Sequence, residues 1–413
     1  MGIFNLKKIC FTFIAFIIFS GFFNINADVP SANLSKTNNP YNSVQSVQKE
    51  ENQENDSSDE TLTLLFGGDI MAHSENHKIS SYSKIWDDIR DVVQDADLAF
   101  ANIESPIDTT KPVSSYPKFN MPKSYIKAAI DAGFNVFSLC NNHTNDQGLS
   151  GMKETLNTMK SLAKEAKEDK ITICFSGIKD NPDKFLNCNL IDKNGWKILF
   201  LPITEILNYY DDTGYINYIK PTEESRNKLI DTIKNLKRKT KCDLFILSIH
   251  ANEPEYKRIV TDEQEHFYKD LLNAGIDIIW ANHTHIIKNR KVVVDTSTNS
   301  DKLIMYANGN TISGQRRNPK IYDSIPDGER DNTGDGLLYK VTLAKNNGVV
   351  EIRKAEPIFI TTYINTANEF IIKKMDDNFI DYLNDVERIN WAKYIERRIR
   401  INKEETKDLI EWL

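Results

Sequence analysis

From Leu62 onward the chain alternates short, nearly unbroken apolar runs with stretches where apolar residues recur every third or fourth place. The runs "LTLLF", "ADLAFANI", "FNVFSLC", "ITICFS", "WKILFLPI", "CDLFILSI", "IDIIWA" and "KLIMYA" are bounded by turn and charged residues and predict buried strands. Between them "PKSYIKAAIDAG", "SGMKETLNTMKSLAKEA" and "TDEQEHFYKDLLNAG" carry helical spacing, and the first and third end on glycine, as helix C-termini often do. Strand and helix in alternation predict an α/β layered domain. "GLLYKVTLAKNNGVVEIRKAEPIFITTY" breaks the rhythm: two β-rich runs joined by Asn-Asn-Gly predict a hairpin. From about residue 376 the chain is charged with interspersed Ile, Leu, Tyr and Trp, which predicts helix. The main domain is expected at 61–360, with a C-terminal helical extension over 361–413.

The N-terminus is of different material. Lys7 and Lys8 precede an uncharged apolar run from Ile9 to Phe23 and a small residue at Ala27, the layout of a secretory signal. The run of about 15 residues falls short of the ~20 that a spanning helix uses, and an uncleaved anchor is the alternative. Residues 28–60, rich in Ser, Asn, Gln and Glu, bury too little to offset their ordering entropy and are expected to be a disordered tether. Residues 1–27 as signal peptide or anchor place the body outside the cytoplasm, secreted or held at the cell membrane. Of the formal charge of -7, the leader lysines contribute +2 and residues 28–60 contribute -5, so -4 falls on residues 61–413. With no basic stripe, nucleic acid is excluded as a partner, and a polyanion must be held by local charges or by metal. Cys140, Cys174, Cys188 and Cys242 have three ways to pair outside the cell, or remain buried thiols; no CxxC occurs, which argues against a cysteine metal site.

Chemistry collects where the apolar runs stop. "LLFGGD" ends at Asp69 with His73 just beyond, "LAFANIE" at Asn102 and Glu104, and "VFSLCNNH" at Asn142 and His143. "LFILSIH" ends at His250 and "IIWANHTH" at His283 and His285. Taken singly, each has a plain reading: Asp69 in a turn, Asn-Asn-His capping a helix, Glu104 at a solvated strand end, His-x-His in a surface loop. His250 resists this most, because an unpartnered polar group at the end of an apolar strand is costly. His77 and His266 read as structural or solvent-facing. Strand carboxyl ends of an α/β sheet line one crevice, so the set is expected to converge there. Imidazole mixed with carboxylate and carboxamide oxygen suits Zn, Mn or Fe rather than Ca or Mg. Two such cations about 3.5–4 Å apart serve in-line displacement at phosphorus.

The ordered series "GGDIMAH", "NIE", "NNHTNDQG", "NAGIDIIWANHTH" and "YANGN" resembles the CapA-type poly-γ-glutamate (capsule) biosynthesis proteins of the calcineurin-like metallophosphoesterase superfamily, over roughly residues 62–345. The resemblance implies a β-sandwich flanked by helices, a four-layer α/β/β/α arrangement, with two divalent metal ions (Mn, Zn or Fe) at the strand ends. It implies Asp69, Asn142, His250, His283 and His285 as metal ligands and Glu104 as a bridging carboxylate. His143 resembles the histidine that protonates a leaving oxygen, and Asp146 is expected to orient its ring. His73, Glu255 and Asn310 are further candidates, and Arg316 and Arg317 in "SGQRR" are candidates for binding an anionic substrate. Departures are visible: "HANEPEY" replaces the family's His-Trp-Gly-x-Glu-Tyr, Asn282 stands for a histidine, and Asn308 for a leucine.

The function so implied is a metal-dependent, phosphoesterase-like hydrolase acting outside the cytoplasm in poly-γ-glutamate or capsule biosynthesis, beside membrane-associated synthesis machinery. The alternative is a non-catalytic export or tethering component that grips the anionic polymer through bound metal. A nucleotide-driven ligase is disfavoured, since no GxxxxGK[ST] phosphate cradle is present.

Overall fold

Two sheets stacked face to face carry the molecule in its computed structural model, which describes residues 60–319 and 329–412. The first, 8-stranded, contains β1 (Glu60–Ile70), β2 (Leu98–Ile103), β3 (Val136–Ser138), β4 (Cys174–Ser176), β11 (Asn310–Ile312), β12 (Asp335–Asn346), β13 (Val349–Ile364) and β14 (Phe370–Lys374). The second, 7-stranded, contains β5 (Asn189–Lys193), β6 (Trp196–Thr204), β7 (Leu244–His250), β8 (Ile278–Asn282), β9 (Arg290–Asp295), β10 (Ser300–Met305) and β15 (Asp408–Trp412). Their orders are β14-β13-β12-β1-β2-β3-β4, with β11 beside β1, and β15-β9-β10-β8-β7-β6-β5. Helices α1 (Arg90–Gln94), α2 (Lys123–Ala132) and α3 (Gly148–Glu168) follow strands of the first sheet; α4 (Glu223–Lys239) and α5 (Asp262–Ala274) belong to the second. The chain ends with α6 (Asp377–Asp385), α7 (Ile389–Glu405) and β15.

The strands read as unbroken apolar runs because both of their faces are covered. In β7, Leu244 and Ile246 point between the sheets toward Phe66, Phe100, Phe200 and Trp280, while Phe245, Leu247 and Ile249 pack outward against Leu229, Ile233, Phe267 and Leu271 of α4 and α5. On the other side Leu65, Ala99 and Phe137 meet Ile126, Ala129, Met152 and Met159 of α2 and α3. The layering is therefore helix, sheet, sheet, helix, as expected. Gly133 and Gly275 close α2 and α5 at positive φ, and Thr261 caps α5 by accepting from the Gln264 amide. The late hairpin is β12–β13, turned through Asn347 and Gly348, both at positive φ.

Three expectations need correction or completion. The boundary expected at residue 360 falls inside β13, which pairs on both sides, and β15 adds a strand to the second sheet beside β9. The C-terminal segment is helical over α6 and α7 but is woven into the main body, with Tyr363 and Phe370 packed against Trp391 and Leu383. β5, β9, β14 and β15 were missing from the apolar runs because at least one face of each is partly solvated. Cys140, Cys174, Cys188 and Cys242 are all free thiols. The leader and the tether lie outside the described residues, among which no helix is long and apolar enough to cross a membrane.

Candidate metal centre

Parallel pairing sets the carboxyl ends of the central strands side by side: Asp69 lies opposite Asn102, Asn102 opposite Ser138, and His250 opposite Asn282. Glu104 follows β2 by one residue, Asn142 and His143 lie in the turn after β3, and His283 and His285 in the turn after β8. Gly68 makes the first of these placements. A Cβ there would stand 1.8 Å from the Gly309 carbonyl oxygen, and only its absence lets the Asp69 amide donate to that oxygen at 3.1 Å. The register slips between Phe66 and Asp69, and the strand continues instead of turning.

Two groups of ligand-type atoms result, and they share one carboxylate. Glu104, His250 and His283 form the first, and Asp69, Glu104 and His285 the second, with ligand atoms in each group within 4.8 Å of one another. His250 Nε2 is 3.7 Å from Glu104 Oε1, 3.1 Å from His283 Nδ1 and 2.9 Å from Asn142 Oδ1. On the other side His285 Nδ1 is 3.3 Å from Asp69 Oδ2, and its Nε2 is 3.8 Å from Glu104 Oε1. Asp69 is steadied by the Asn102 amide, which donates to Oδ1 at 2.8 Å.

Glu104 is fully buried, and neither of its carboxylate oxygens has a hydrogen-bond partner. Leaving a buried acceptor unsatisfied costs about 1–3 kcal/mol, more when it is charged. Burial first, and then the charge of Asp69, push its carboxyl well above the usual range. Burial and the neighbouring imidazoles push His250 well below its usual value and His283 to about 4, so both are neutral near pH 7, the form that binds metal. At His285 burial opposes the charged form, but the hydrogen bond and charge of Asp69 outweigh it and raise the ring. An orphaned carboxyl shared by two sets of imidazole and oxygen donors is a surrounding that fits divalent metal. His283 and His285 also hold left-handed backbone, φ 104 and 58, a conformation costing roughly 1–3 kcal/mol each in non-glycine residues and concentrated at functional sites.

His143 stands beside this cluster. Its Nδ1 is 2.7 Å from Asp146 Oδ2, which also accepts from the Phe119 amide at 2.7 Å. His143 lines a cleft of about 630 Å³ together with His73, Phe119, Glu255, Tyr256, His285 and Arg317. The structure thus brings together Asp69, Glu104, Asn142, His250, His283 and His285, with His143 and Asp146 alongside. Asn141 folds the turn by accepting from the His143 amide, which frees Asn142 to offer its oxygen. His73 is set apart from the two groups: it lines the cleft, and its Nδ1 accepts from the Gly314 amide at 3.1 Å. Glu255 shares that wall; burial raises its carboxyl, but His285, a hydrogen bond with Tyr256 and the other nearby imidazoles together outweigh this and lower it. Asn310 touches His285 at 3.0 Å through its Oδ1.

One expectation is corrected. Arg316 borders the cleft, but its guanidinium is engaged inward rather than free for an anion: it is buried, paired with Asp335, and donates to the carbonyls of Asp331 and Thr362. Arg317 is exposed at the cleft. Sequence reasoning passed over Asn208, whose side-chain amide lies 3.1 Å from His143 Nδ1 and whose backbone N–H donates to the Asn142 carbonyl. It also passed over Phe119, whose ring meets His143 edge-on. Both come from loops with no pattern of their own.

The chain matches the family model described as bacterial capsule synthesis protein PGA_cap over residues 63–315. It is 26% identical over 270 residues to the capsule biosynthesis protein CapA of Bacillus anthracis, covering 62% of this chain and 61% of that one. Against the PGA biosynthesis protein CapA of Bacillus subtilis (strain 168) it is 24% identical over 267 residues, covering 62% and 64%. The match thus spans a little over three fifths of the length of either relative. Among solved structures it is similar to a calcineurin-like phosphoesterase, YfkN from Bacillus subtilis, at a TM-score of 0.38 and 11% identity, covering 82% of this chain and 99% of that one. Every side chain gathered in the two groups lies inside the matched stretch, and the chain belongs to the PGA_cap family of bacterial capsule synthesis proteins.

Proposed function

We propose that the protein is a metal-dependent hydrolase of phosphoester type, working outside the cytoplasm in poly-γ-glutamate or capsule biogenesis. The observation that carries the reading is Glu104, buried, without a hydrogen-bond partner and common to both ligand groups. Asp69, Glu104 and His285 would hold one divalent cation, and Asn142, Glu104, His250 and His283 the other, with the donor set suiting Mn, Zn or Fe. Such a pair supplies Lewis acidity toward a phosphoryl oxygen and makes water a better nucleophile.

The chain's own groups do the rest. Asp146 holds Nδ1 of His143, so the protonated ring keeps its second N–H for the leaving oxygen. Phe119 packs edge-on against that imidazole and limits how far the ring can turn. Arg317 offers a planar fork at the cleft to a phosphoester or a polymer carboxylate. The family and its CapA relatives support the polymer setting; Lys7, Lys8 and the apolar run behind them support export and, with it, a place beside membrane-associated synthesis machinery.

The test is elemental analysis of the purified protein with phosphomonoester and phosphodiester assays in Mn²⁺. His143→Ala is expected to keep its metal and lose about 10²–10⁴-fold in kcat. Bound metal with equal, negligible turnover in both proteins would favour the export or tethering reading, which chelator-sensitive capture of poly-γ-glutamate then examines directly.

A further inference from the structure

We propose that the C-terminal helix α7 acts through Asp335 as a positioning element of the metal centre, setting the tautomer and orientation of His285 from outside the family-matched residues. The purpose of this relay rests on the metal-centre reading; its geometry does not.

The relay begins at Asn310. Its side-chain N–H groups donate to the Thr333 carbonyl at 2.8 Å and to Gln315 Oε1 at 2.9 Å. A backbone carbonyl only accepts, so the carboxamide has one orientation, and Oδ1 faces His285 Nδ1 at 3.0 Å. Asp69 Oδ2, 3.3 Å away, is a second acceptor at the same nitrogen. With two acceptors facing it, Nδ1 is the nitrogen that keeps a hydrogen, and Nε2, on the side of Glu104 and 3.8 Å away, is the one that can give its lone pair to a cation. The wrong tautomer would aim a hydrogen where a cation has to sit.

Thr333 is held by what lies next to it. Two residues on, Asp335 is fully buried, and its Oδ2 accepts from Arg398 Nε at 2.7 Å and from Asn402 Nδ2 at 2.8 Å, both on α7. Its Oδ1 pairs with Arg316, whose Nη1 donates to the Asp331 carbonyl at 2.9 Å. A single carboxylate thus ties α7, the turn carrying Thr333 and the loop after Asn310. Partners of metal-ligating histidines commonly change metal affinity about 10–100-fold when lost. Here that partner is anchored by a helix more than seventy residues beyond the end of the family match, residue 315.

The experiment uses the full chain with ¹⁵N-labelled histidine, metal-free, and Zn²⁺ titration by calorimetry. Wild type is expected to show a slowly exchanging His285 Nδ1–H and two binding steps. Asp335→Asn and, more mildly, Arg398→Lys lose that resonance and weaken one step about tenfold or more. Asp408→Asn is the control. It breaks a pair with Arg290 at 2.8 Å that also fastens the C-terminus, so it lowers Tm but keeps the resonance and both steps. If Asp335→Asn does not fold, Arg398→Lys decides, since it keeps the charge. A folded variant of either kind with the His285 resonance and both steps as in wild type overturns the relay. A wild type that shows the resonance and its loss in the variants, but binds no cation, upholds the relay and overturns the metal-centre reading instead.

Discussion

Glu104 sets a conflict that a single substitution exposes. In the metal-free protein it is a carboxyl forced into a dry interior beside Asp69, a cost that two cations would turn into a gain. Glu104→Gln removes the cost and the gain together. With chelator present, its Tm is expected to equal or exceed that of wild type. On adding Mn²⁺, wild type gains about 2.7 kcal/mol at a hundred times Kd and the variant gains nothing. Thermal melts with and without metal check this; an equal metal-induced rise in both proteins would remove Glu104 from the site.

At the scale of elements, the centre depends on strands that end in register and on backbones that come unusually close. Gly68→Ala would drive a Cβ into the Gly309 carbonyl, pushing β1 from β11 and moving Asp69. A loss of about 3 kcal/mol in stability, with weaker metal binding, is expected from denaturant titration and calorimetry. A second clasp sits between β13 and β14, where Glu369 accepts from the hydroxyl of Ser80 at 2.7 Å and from Asn365 at 3.0 Å. These bonds hold its carboxyl at about 2, below the usual 4.5. The folded value is the lower one, so the stabilisation is complete above 4.5 and drains away as pH falls toward 2. Glu369→Gln is expected to cost about 1 kcal/mol at pH 7 and nothing near pH 2, a gap that urea midpoints across this window measure.

For the whole molecule, the C-terminal segment is part of the body rather than an addition to it. Ending the chain after Met375 deletes α6, α7 and β15, which leaves Asp335 buried without Arg398 or Asn402 and uncovers Tyr363 and Phe370. Breaking a buried charge pair costs about 3–5 kcal/mol, a large share of a domain's net stability. Such a chain is expected to be insoluble or to melt without cooperativity, judged by soluble yield and circular dichroism. A cooperative melt at the full-length Tm would restore the boundary at residue 360.

Local pattern alone determined the layered α/β class, the central strands, the helices closed by Gly133 and Gly275, the Asn-Gly hairpin and the donor types at the strand ends. Each of these follows from interactions within a few residues: alternating burial, caps, turn conformations and the abrupt stop of an apolar run. Tertiary structure decided the rest. That Glu104 lies between both donor groups depends on how the two sheets stack. That Arg316 turns inward depends on Asp335 and α7, and that Asn208 and Phe119 reach His143 depends on where two loops settle. The edge strand β15 shows only a half-solvated pattern until β9 pairs with it. Burial, charge pairing and lone-pair direction at these places are fixed between residues far apart in the chain, and no window along the sequence contains them.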